Sequence, residues 1–399
     1  MEQGNEDHLD DSMVWCDPLL PRTEQDNGGD SFSPLKKRSF IETSLRCLCL
    51  PCTVVMNCLG VCCCSKLAQL SKPPQWTWKL TMAITVMRTI TNNIVRKISF
   101  IRCLTDQNIP TWLPSLPSGI SIVAQKKGTN GCPVSGEWVF PSHLPVTPVD
   151  GGASNNTLDQ VVLYLHGGAF ALCTPGTHRG ITMRLANKCD NAVVYVPNYC
   201  RPPEHPYPEP IDDCVATYKW LLRFVVGGNS KRIVIAGDSA GGALTILMFQ
   251  KLQEENMDLP AGALLLSPWL DLEDTNCSPS WHENKNFDYL PCDLAHLLAL
   301  SFVNNDETRL GRVSATNQEL ANLPPLFIMC GDKEVLRDQV ITFCQKATDA
   351  GIDVERHIEP GMVHAFVAAF SEIIDKEVMD QWIERMALFI DKVTTPNGP

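Results

Sequence analysis

Hydrophobic positions change their spacing along the chain, and the change separates two kinds of element. Between about residues 76 and 101, apolar side chains recur every three or four positions, while Lys79, Arg88 and Arg96 lie off that stripe. This spacing predicts an amphipathic helix. From about residue 119, short apolar runs alternate with longer helical stretches, and we interpret the short runs as strands. The predicted strands are 120–124, 136–140, 161–165, 192–196, 232–236, 263–267, 326–330 and 354–358.

The order of these elements predicts the fold class. Helical patterns occupy the intervals between strands, for example at about 178–189, 211–226 and 240–253. Strands that alternate with helices form right-handed βαβ units, so we expect an α/β fold with a mostly parallel central sheet flanked by helices. We assign residues 119–393 to this single domain.

The net charge of −12 conceals three unlike zones. Residues 1–30 carry nine acidic side chains and one basic one, residues 31–104 carry eleven basic and one acidic, and residues 105–399 carry 35 acidic and 21 basic. Because residues 1–35 contain few aliphatic side chains, we predict a disordered acidic tail there. A basic block beside an acidic body is typical of an interaction surface, and we expect a membrane surface rather than a nucleic acid as its partner.

Cysteines concentrate in the basic zone, where seven of the eighteen lie between Cys47 and Cys64. Cysteines beside basic residues suit S-palmitoylation, and several acyl chains together with a polybasic block would anchor the chain stably. The uncharged stretch 47–65 is also long enough for a membrane span, and a buried apolar segment is the third interpretation. We therefore predict a membrane-association segment at 36–75, with the membrane contact extending over residues 36–104.

The opening of the chain lacks a basic segment followed by an apolar stretch and a small-residue cleavage site, so secretion is not indicated. We expect an intracellular protein that associates with a membrane at its cytosolic face or at the endoplasmic reticulum. A soluble cytoplasmic protein is the alternative. The adjacent cysteines at 62–64 lack the spacing of a zinc finger, so no metal is expected.

The segment Gly237-Asp-Ser-Ala-Gly241 lies between a predicted strand and a predicted helix. This is the context of a nucleophile elbow, in which a serine occupies a strained turn and small neighbours relieve the crowding. We predict that Ser239 is the nucleophile of an α/β-hydrolase-type enzyme.

A second motif, His166-Gly-Gly-Ala169, follows the predicted strand 161–165. A serine needs a place for negative charge to collect, and in this fold an HGG segment directs backbone N–H groups at the developing oxyanion. We assign the oxyanion hole to the N–H groups of Gly167, Gly168 and Ala240. His166 precedes the serine and is expected to brace the loop.

The general base should follow the serine, because triads of this fold run serine, acid, histidine. His364 lies in a loop after the last predicted strand and before the last helix, whereas His357 lies within that strand and His282 and His296 fall in a less regular stretch. We predict His364 as the base.

The acid should follow the strand predicted at 326–330. Asp332, Glu334 and Asp338 all lie there, and any carboxylate able to orient the imidazole would serve. From the residues alone the three alternatives stay open.

Five motifs together carry a resemblance to a known family. They are HGGA at 166–169, GDSAGG at 237–242, PEHPYP at 203–208 with Tyr199 before it, SPWLD at 267–271 and GMVH at 361–364. In this set and order, residues 118–393 resemble the hormone-sensitive lipase family, which includes arylacetamide and steryl-acetate deacetylases and many bacterial esterases. The family's acid opens the pattern acid-x-Leu-Arg-Asp, whose match here begins at Glu334, although the family usually has Asp. The resemblance thus selects Glu334 over Asp332. The chain departs from the family at residues 200–202, Cys-Arg-Pro, where Arg-Leu-Ala is usual.

The resemblance implies a serine carboxylic ester hydrolase that needs no cofactor and acts on short-acyl esters of lipophilic compounds. It also implies a cap, built from about 76–112 and 272–300, that sets substrate size; we assign residues 76–118 to this cap region. Gibberellin receptors reuse the fold for non-catalytic binding but lack the catalytic histidine, so the presence of His364 favours an enzyme. The sequence does not specify the oligomeric state.

Overall fold

A computed structural model describes residues 72–94, 119–144, 158–189, 192–275 and 278–395. The predicted acidic tail at 1–35 and the cysteine-rich stretch at 47–65 lie outside these residues. The first described helix, α1, spans Trp78–Ile94. It carries the predicted amphipathic stripe, and the continuation predicted to residue 101 lies outside the described part.

The described residues contain one eight-stranded sheet, and all eight predicted strands are present in it. The spatial order is β1-β2-β4-β3-β5-β6-β7-β8. β2 runs antiparallel to both of its neighbours, and every other pairing is parallel. The strands are β1 Ile120–Gln125, β2 Gly136–Pro141, β3 Gln160–Leu165, β4 Ala192–Pro197, β5 Ile233–Asp238, β6 Gly262–Leu266, β7 Leu326–Gly331 and β8 Val354–Glu359.

Helices connect the parallel strands and cover the sheet. The helices after α1 are α2 Arg179–Lys188, α3 Glu209–Trp220, α4 Ala240–Glu254, α5 Pro279–Asn284, α6 Cys292–Phe302, α7 Leu310–Val313, α8 Arg337–Asp349, α9 Phe366–Ala369 and α10 Lys376–Thr394.

The core lies on both faces of the sheet, because alternate side chains of a strand point to opposite faces. In β3, Val161, Leu163 and Leu165 pack on the face covered by α3, α4 and α8, whereas Val162 and Tyr164 pack on the face covered by α1, α2 and α10. β3 is buried along its whole length. A strand buried on both faces is a near-continuous apolar run, and this is why the sequence pattern located the parallel strands well.

Helix α1 contacts the segment between α5 and α6 through backbone acceptors. The Arg88 guanidinium donates from Nε to the Asp288 carbonyl at 3.0 Å and also donates to the Phe287 carbonyl. Thr91 Oγ1 donates to the Tyr289 carbonyl at 2.6 Å. The two stretches predicted to form a cap therefore meet in the structure. Within the described ranges, no helix has the length and apolar character needed to span a membrane.

Candidate active site

Ser239 occupies the sharp turn between β5 and α4. Its backbone adopts φ 52° and ψ −119°, a strained conformation for a residue with a side chain. Glycines surround this turn because there is no room for a Cβ. A Cβ on Gly241 would overlap the Leu165 carbonyl, and one on Gly242 would lie 2.5 Å from the Pro268 Cβ. The local sequence thus allows the strand and helix to meet with Ser239 at the apex.

The structure brings Ser239 and His364 together across 125 positions of sequence. His364 Nε2 lies 2.9 Å from Ser239 Oγ, and His364 Nδ1 lies 3.2 Å from Glu334 Oε2. Ser239 and His364 are only 6% and 4% exposed, and Glu334 is fully buried. The arrangement has the connectivity of a nucleophile, a base and an orienting acid.

Glu334, rather than Asp332 or Asp338, contacts the imidazole. Its other oxygen, Oε1, accepts hydrogen bonds of 2.5 Å from the Gly331 N–H and from the Ser267 hydroxyl. Asp332 instead accepts the Gly361 N–H and pairs with its neighbour Lys333. Asp338 accepts the Ser280 N–H and a guanidinium N–H of Arg337. The carboxylate that the family pattern selects is therefore the one placed on His364.

Glu334 and Asp288 influence the protonation of His364. Burial lowers the pKa of His364, but the hydrogen bond and charge of Glu334, with a further contribution from Asp288, outweigh it and hold the pKa above its ordinary value. A raised pKa means that the imidazolium is stabilised, which is what a base needs when it takes a proton from a hydroxyl.

The predicted assignment of Gly167 to the oxyanion hole needs correction. The Gly167 N–H donates to Asp238 Oδ1 at 2.9 Å, so that hydrogen is already engaged by a buried carboxylate. The glycine is required there because a Cβ would overlap the same Asp238 side chain. By contrast, the N–H groups of Gly168, Ala169 and Ala240 have no acceptor within the described part of the chain. Gly168 and Ala240 therefore remain candidates, and Ala169 joins them.

Asp238 connects this loop to the side chains of Tyr164 and His178, a role that sequence analysis missed. Besides the Gly167 N–H, Asp238 accepts the Tyr164 hydroxyl at 2.9 Å and lies 3.1 Å from His178 Nε2. Burial raises the pKa of Asp238, but these partners, His178 foremost, reverse the effect and hold it below its ordinary value. Asp238, adjacent to Ser239, thus remains charged and fixes the HGGA loop.

His166, the first residue of the same loop, is fully buried and does not contact Ser239 in the described hydrogen-bond network. Its ring stacks on Tyr199 with centroids 4.3 Å apart, and its Nδ1 lies 2.8 Å from the Gly167 carbonyl. Burial, with the neighbouring His178, lowers the pKa of His166 to about 3, so the ring is neutral near pH 7. This geometry matches the expected bracing of the loop.

Asp288 is a second buried carboxylate beside the triad that the sequence did not indicate. Oδ1 accepts the N–H groups of Tyr289 at 2.7 Å and His364 at 3.3 Å, and Oδ2 accepts the Val335 N–H at 2.8 Å. Asp288 therefore joins the backbone at His364 to the backbone at Val335, the residue after Glu334. The backbone carbonyl of Asp288 also accepts a hydrogen bond from Arg88 of α1, so these contacts extend into the predicted cap.

A cavity of about 220 Å³ lies between α1 and the segment before α6. Both predicted cap stretches contribute to it, through Arg88 and Asn92 on one side and through residues from Trp281 to Cys292 on the other. Its wall includes Asp288 and Tyr289, and the Tyr289 ring centroid lies 6.0 Å from that of His364. The cavity is thus adjacent to the residues that hold the predicted base.

Comparison with known proteins agrees with this geometry. A sequence profile described as the alpha/beta hydrolase fold matches residues 162–368. A protein named acetyl-hydrolase from Streptomyces hygroscopicus is 34% identical over 232 residues, which cover 58% of this chain and 71% of that protein. A crystal structure of an esterase from the bacterial hormone-sensitive lipase family superposes with a TM-score of 0.67 at 27% identity, covering 80% of this chain and 99% of that one.

The chain belongs to the hormone-sensitive lipase family of α/β hydrolases. An esterase from Acinetobacter venetianus, 36% identical over 209 residues, covers 52% of this chain and 67% of its own length. Its relatives are named as esterases, and a serine lies at the turn between β5 and α4. This member of the hormone-sensitive lipase family is therefore an ester-hydrolysing serine hydrolase.

Proposed function

We propose that Ser239, His364 and Glu334 form the catalytic triad of this ester hydrolase. The observation that carries the proposal is the unbroken contact from Ser239 Oγ through the imidazole to a buried carboxylate, at 2.9 and 3.2 Å. A nucleophile within hydrogen-bond reach of a base, with the base oriented by a third group, is the arrangement that activates a serine hydroxyl.

In the proposed mechanism, Ser239 Oγ attacks the ester carbonyl while its proton passes to His364 Nε2. Glu334 holds the remaining proton on Nδ1 and stabilises the imidazolium. The tetrahedral intermediate collapses when His364 protonates the departing alkoxide, and an acyl-enzyme on Ser239 remains. Water, deprotonated by His364, then attacks the acyl carbon, and the acid product leaves as Ser239 recovers its proton.

The oxyanion of each intermediate is proposed to lie against the N–H groups of Gly168, Ala169 and Ala240. Two properties support this set: these amides have no acceptor within the described residues, and they belong to the loop and turn that flank the nucleophile. Fixed donors of this kind act where charge develops, and losing one commonly lowers the rate by about 10²–10³-fold. Gly167 contributes indirectly, because its N–H group holds the loop to Asp238.

The proposed substrates are short-acyl esters of lipophilic compounds. The similarity to a protein named acetyl-hydrolase supports a small acyl group.

A series of chromogenic esters with acyl chains of two to twelve carbons tests both the triad and the substrate class. The account predicts the highest kcat/KM for the two- to four-carbon esters, and loss of turnover with every ester in Ser239→Ala. A maximum at eight carbons or more would contradict the short-acyl proposal while leaving the triad intact. Turnover retained in Ser239→Ala would contradict the triad itself.

We further propose that the basic, cysteine-rich region at 36–104 brings the enzyme to a membrane surface. The zone 31–104 carries eleven basic side chains and one acidic one, which supports attraction to anionic lipid. The cysteines clustered between residues 47 and 64 offer acylation sites. Deletion of residues 1–70 should leave activity on a soluble acetate ester unchanged and abolish recovery in the membrane fraction. If membrane recovery persists after the deletion, residues 36–70 are not the anchor.

A further inference from the structure

Three side chains with metal-binding donor atoms lie together at the start of α3, outside the triad. Cys200 precedes the turn, His205 lies within it and Glu209 is the first residue of the helix. One donor atom from each lies within 4.8 Å of the other two. His205 Nδ1 and Glu209 Oε2 are already 2.6 Å apart. A thiol, an imidazole and a carboxylate therefore converge on one small volume.

This donor set matches a particular class of ion. Zn²⁺ is borderline-soft and accepts thiolate, imidazole and carboxylate ligands, usually in a tetrahedron, whereas Mg²⁺ and Ca²⁺ prefer oxygen donors. With metal–ligand bonds of about 2.0–2.3 Å, tetrahedral donors stand about 3.3–3.8 Å apart. The present separations, between 2.6 Å and 4.8 Å, bracket that range, so shifts of about 1 Å complete the geometry.

The structure allows these shifts without unfolding the turn. The Glu209 side chain is half exposed and that of His205 is about one third exposed, so both have room to move. The backbone beneath them is held: the Cys200 N–H donates to Asp213 Oδ2 at 2.9 Å, and the His205 N–H donates to the Arg201 carbonyl at 3.1 Å. The ligands thus project from a fixed turn, which limits the ordering entropy lost on binding.

We infer that Cys200, His205 and Glu209 form a Zn²⁺ site, with a water molecule as the fourth ligand. Binding requires Cys200 to lose its thiol proton and His205 to present a neutral nitrogen, so the protons released pass to the solvent. The site is distinct from the triad and is not required for the proposed ester hydrolysis.

The location gives the proposed ion a structural connection to the oxyanion loop. Tyr199, adjacent to Cys200, donates its hydroxyl to the His166 carbonyl at 2.6 Å. Arg201, on the other side, donates to the carbonyl of Cys173, in the segment that follows Gly168. An ion on Cys200 would therefore lie in the turn whose two flanking residues bind the carbonyls of His166 and Cys173, on either side of residues 167–172.

Titration of the full-length protein with Co²⁺ tests the thiolate ligand, because a cysteine thiolate bound to Co²⁺ gives a near-ultraviolet charge-transfer band. The cysteines between 47 and 64 are competing thiolates, so the measured quantity is the difference from the parent protein. Cys200→Ser should bind one Co²⁺ fewer per chain and lose the corresponding part of the band. Cys292→Ser, which removes a cysteine of similar burial outside the cluster, should match the parent.

Glu209→Gln provides a test that does not depend on the cysteine variant folding, because this side chain is exposed. It should weaken Zn²⁺ binding at this site by at least about tenfold, as competition with a chelator would show, since a direct ligand matters at least as much as its supporting groups. Identical Co²⁺ spectra and stoichiometry for Cys200→Ser and Cys292→Ser would overturn the site. Unchanged Zn²⁺ affinity in Glu209→Gln would overturn it as well.

Discussion

Replacement of Glu334 by Gln distinguishes the proposed acid from its neighbours and has a consequence that the hydrogen bonds specify. Glu334 Oε1 accepts the Gly331 N–H, a donor that cannot reverse its role, so the Gln carbonyl oxygen must take this position. The amide NH₂ then faces His364 Nδ1 and donates to it. The imidazole is forced into the tautomer with its proton on Nε2, which cannot accept the Ser239 proton.

The wrong tautomer in a Ser–His–carboxylate triad lowers kcat by about 10⁴-fold, equivalent to about 5 kcal/mol of transition-state stabilisation. Asp332→Asn is the matched control, because it makes the same chemical change two residues away. Its carboxylate is partly exposed, accepts the Gly361 N–H and pairs with Lys333 rather than with the base. We expect Asp332→Asn to lower kcat by less than about tenfold, or about 1.4 kcal/mol.

Steady-state hydrolysis of a chromogenic acetate ester measures kcat and KM for both variants, with circular dichroism to verify folding. The account predicts a large loss in kcat at nearly constant KM for Glu334→Gln alone. Equal losses in the two variants, or a greater loss in Asp332→Asn, would refute the assignment of the acid.

Three further predictions concern the pH profile, the buried carboxylate and the elbow. Glu334 holds the pKa of His364 above its ordinary value, so activity should rise with pH as the imidazolium loses its proton, with a midpoint above about 6.5. In Glu334→Gln this midpoint should fall. The dependence of kcat/KM on pH checks both expectations. Asp288→Asn retains only one oxygen for three backbone donors, so it should lower the free energy of unfolding by about 1–3 kcal/mol in urea titrations. Because two of these donors belong to His364 and to the residue after Glu334, kcat should fall as well, and turnover within twofold of the parent would contradict its positioning role. Gly241→Ala should lower the free energy of unfolding by about 1–3 kcal/mol in urea titrations, whereas Gly176→Ala, with only an ordinary contact at 3.6 Å, should leave it unchanged.

The strands and the turn that carries Ser239 could be predicted from sequence because both leave local signals. β3 and β5 are buried on both faces, so each appears as a continuous apolar run. The elbow is likewise a local pattern of strand, small residues and helix. Glu334 was selected by a family pattern, since three carboxylates within seven residues are chemically equivalent until their partners are known.

The errors and omissions arise from contacts between residues distant in sequence. Gly167 was assigned to the oxyanion hole because nothing in its motif shows that Asp238, 71 residues later, accepts its N–H. Asp288 lies in an irregular segment between two helices, and its partners Val335 and His364 are 47 and 76 residues away.

The nucleophile is the central claim, and covalent labelling tests it most directly. The full-length protein and Ser239→Ala are each treated with a fluorophosphonate probe, and the modified peptide is identified by mass spectrometry. The account predicts stoichiometric labelling of the parent on the peptide that contains Ser239 and no labelling of the variant. Labelling that persists in Ser239→Ala, or a parent protein that stays unmodified, would contradict it.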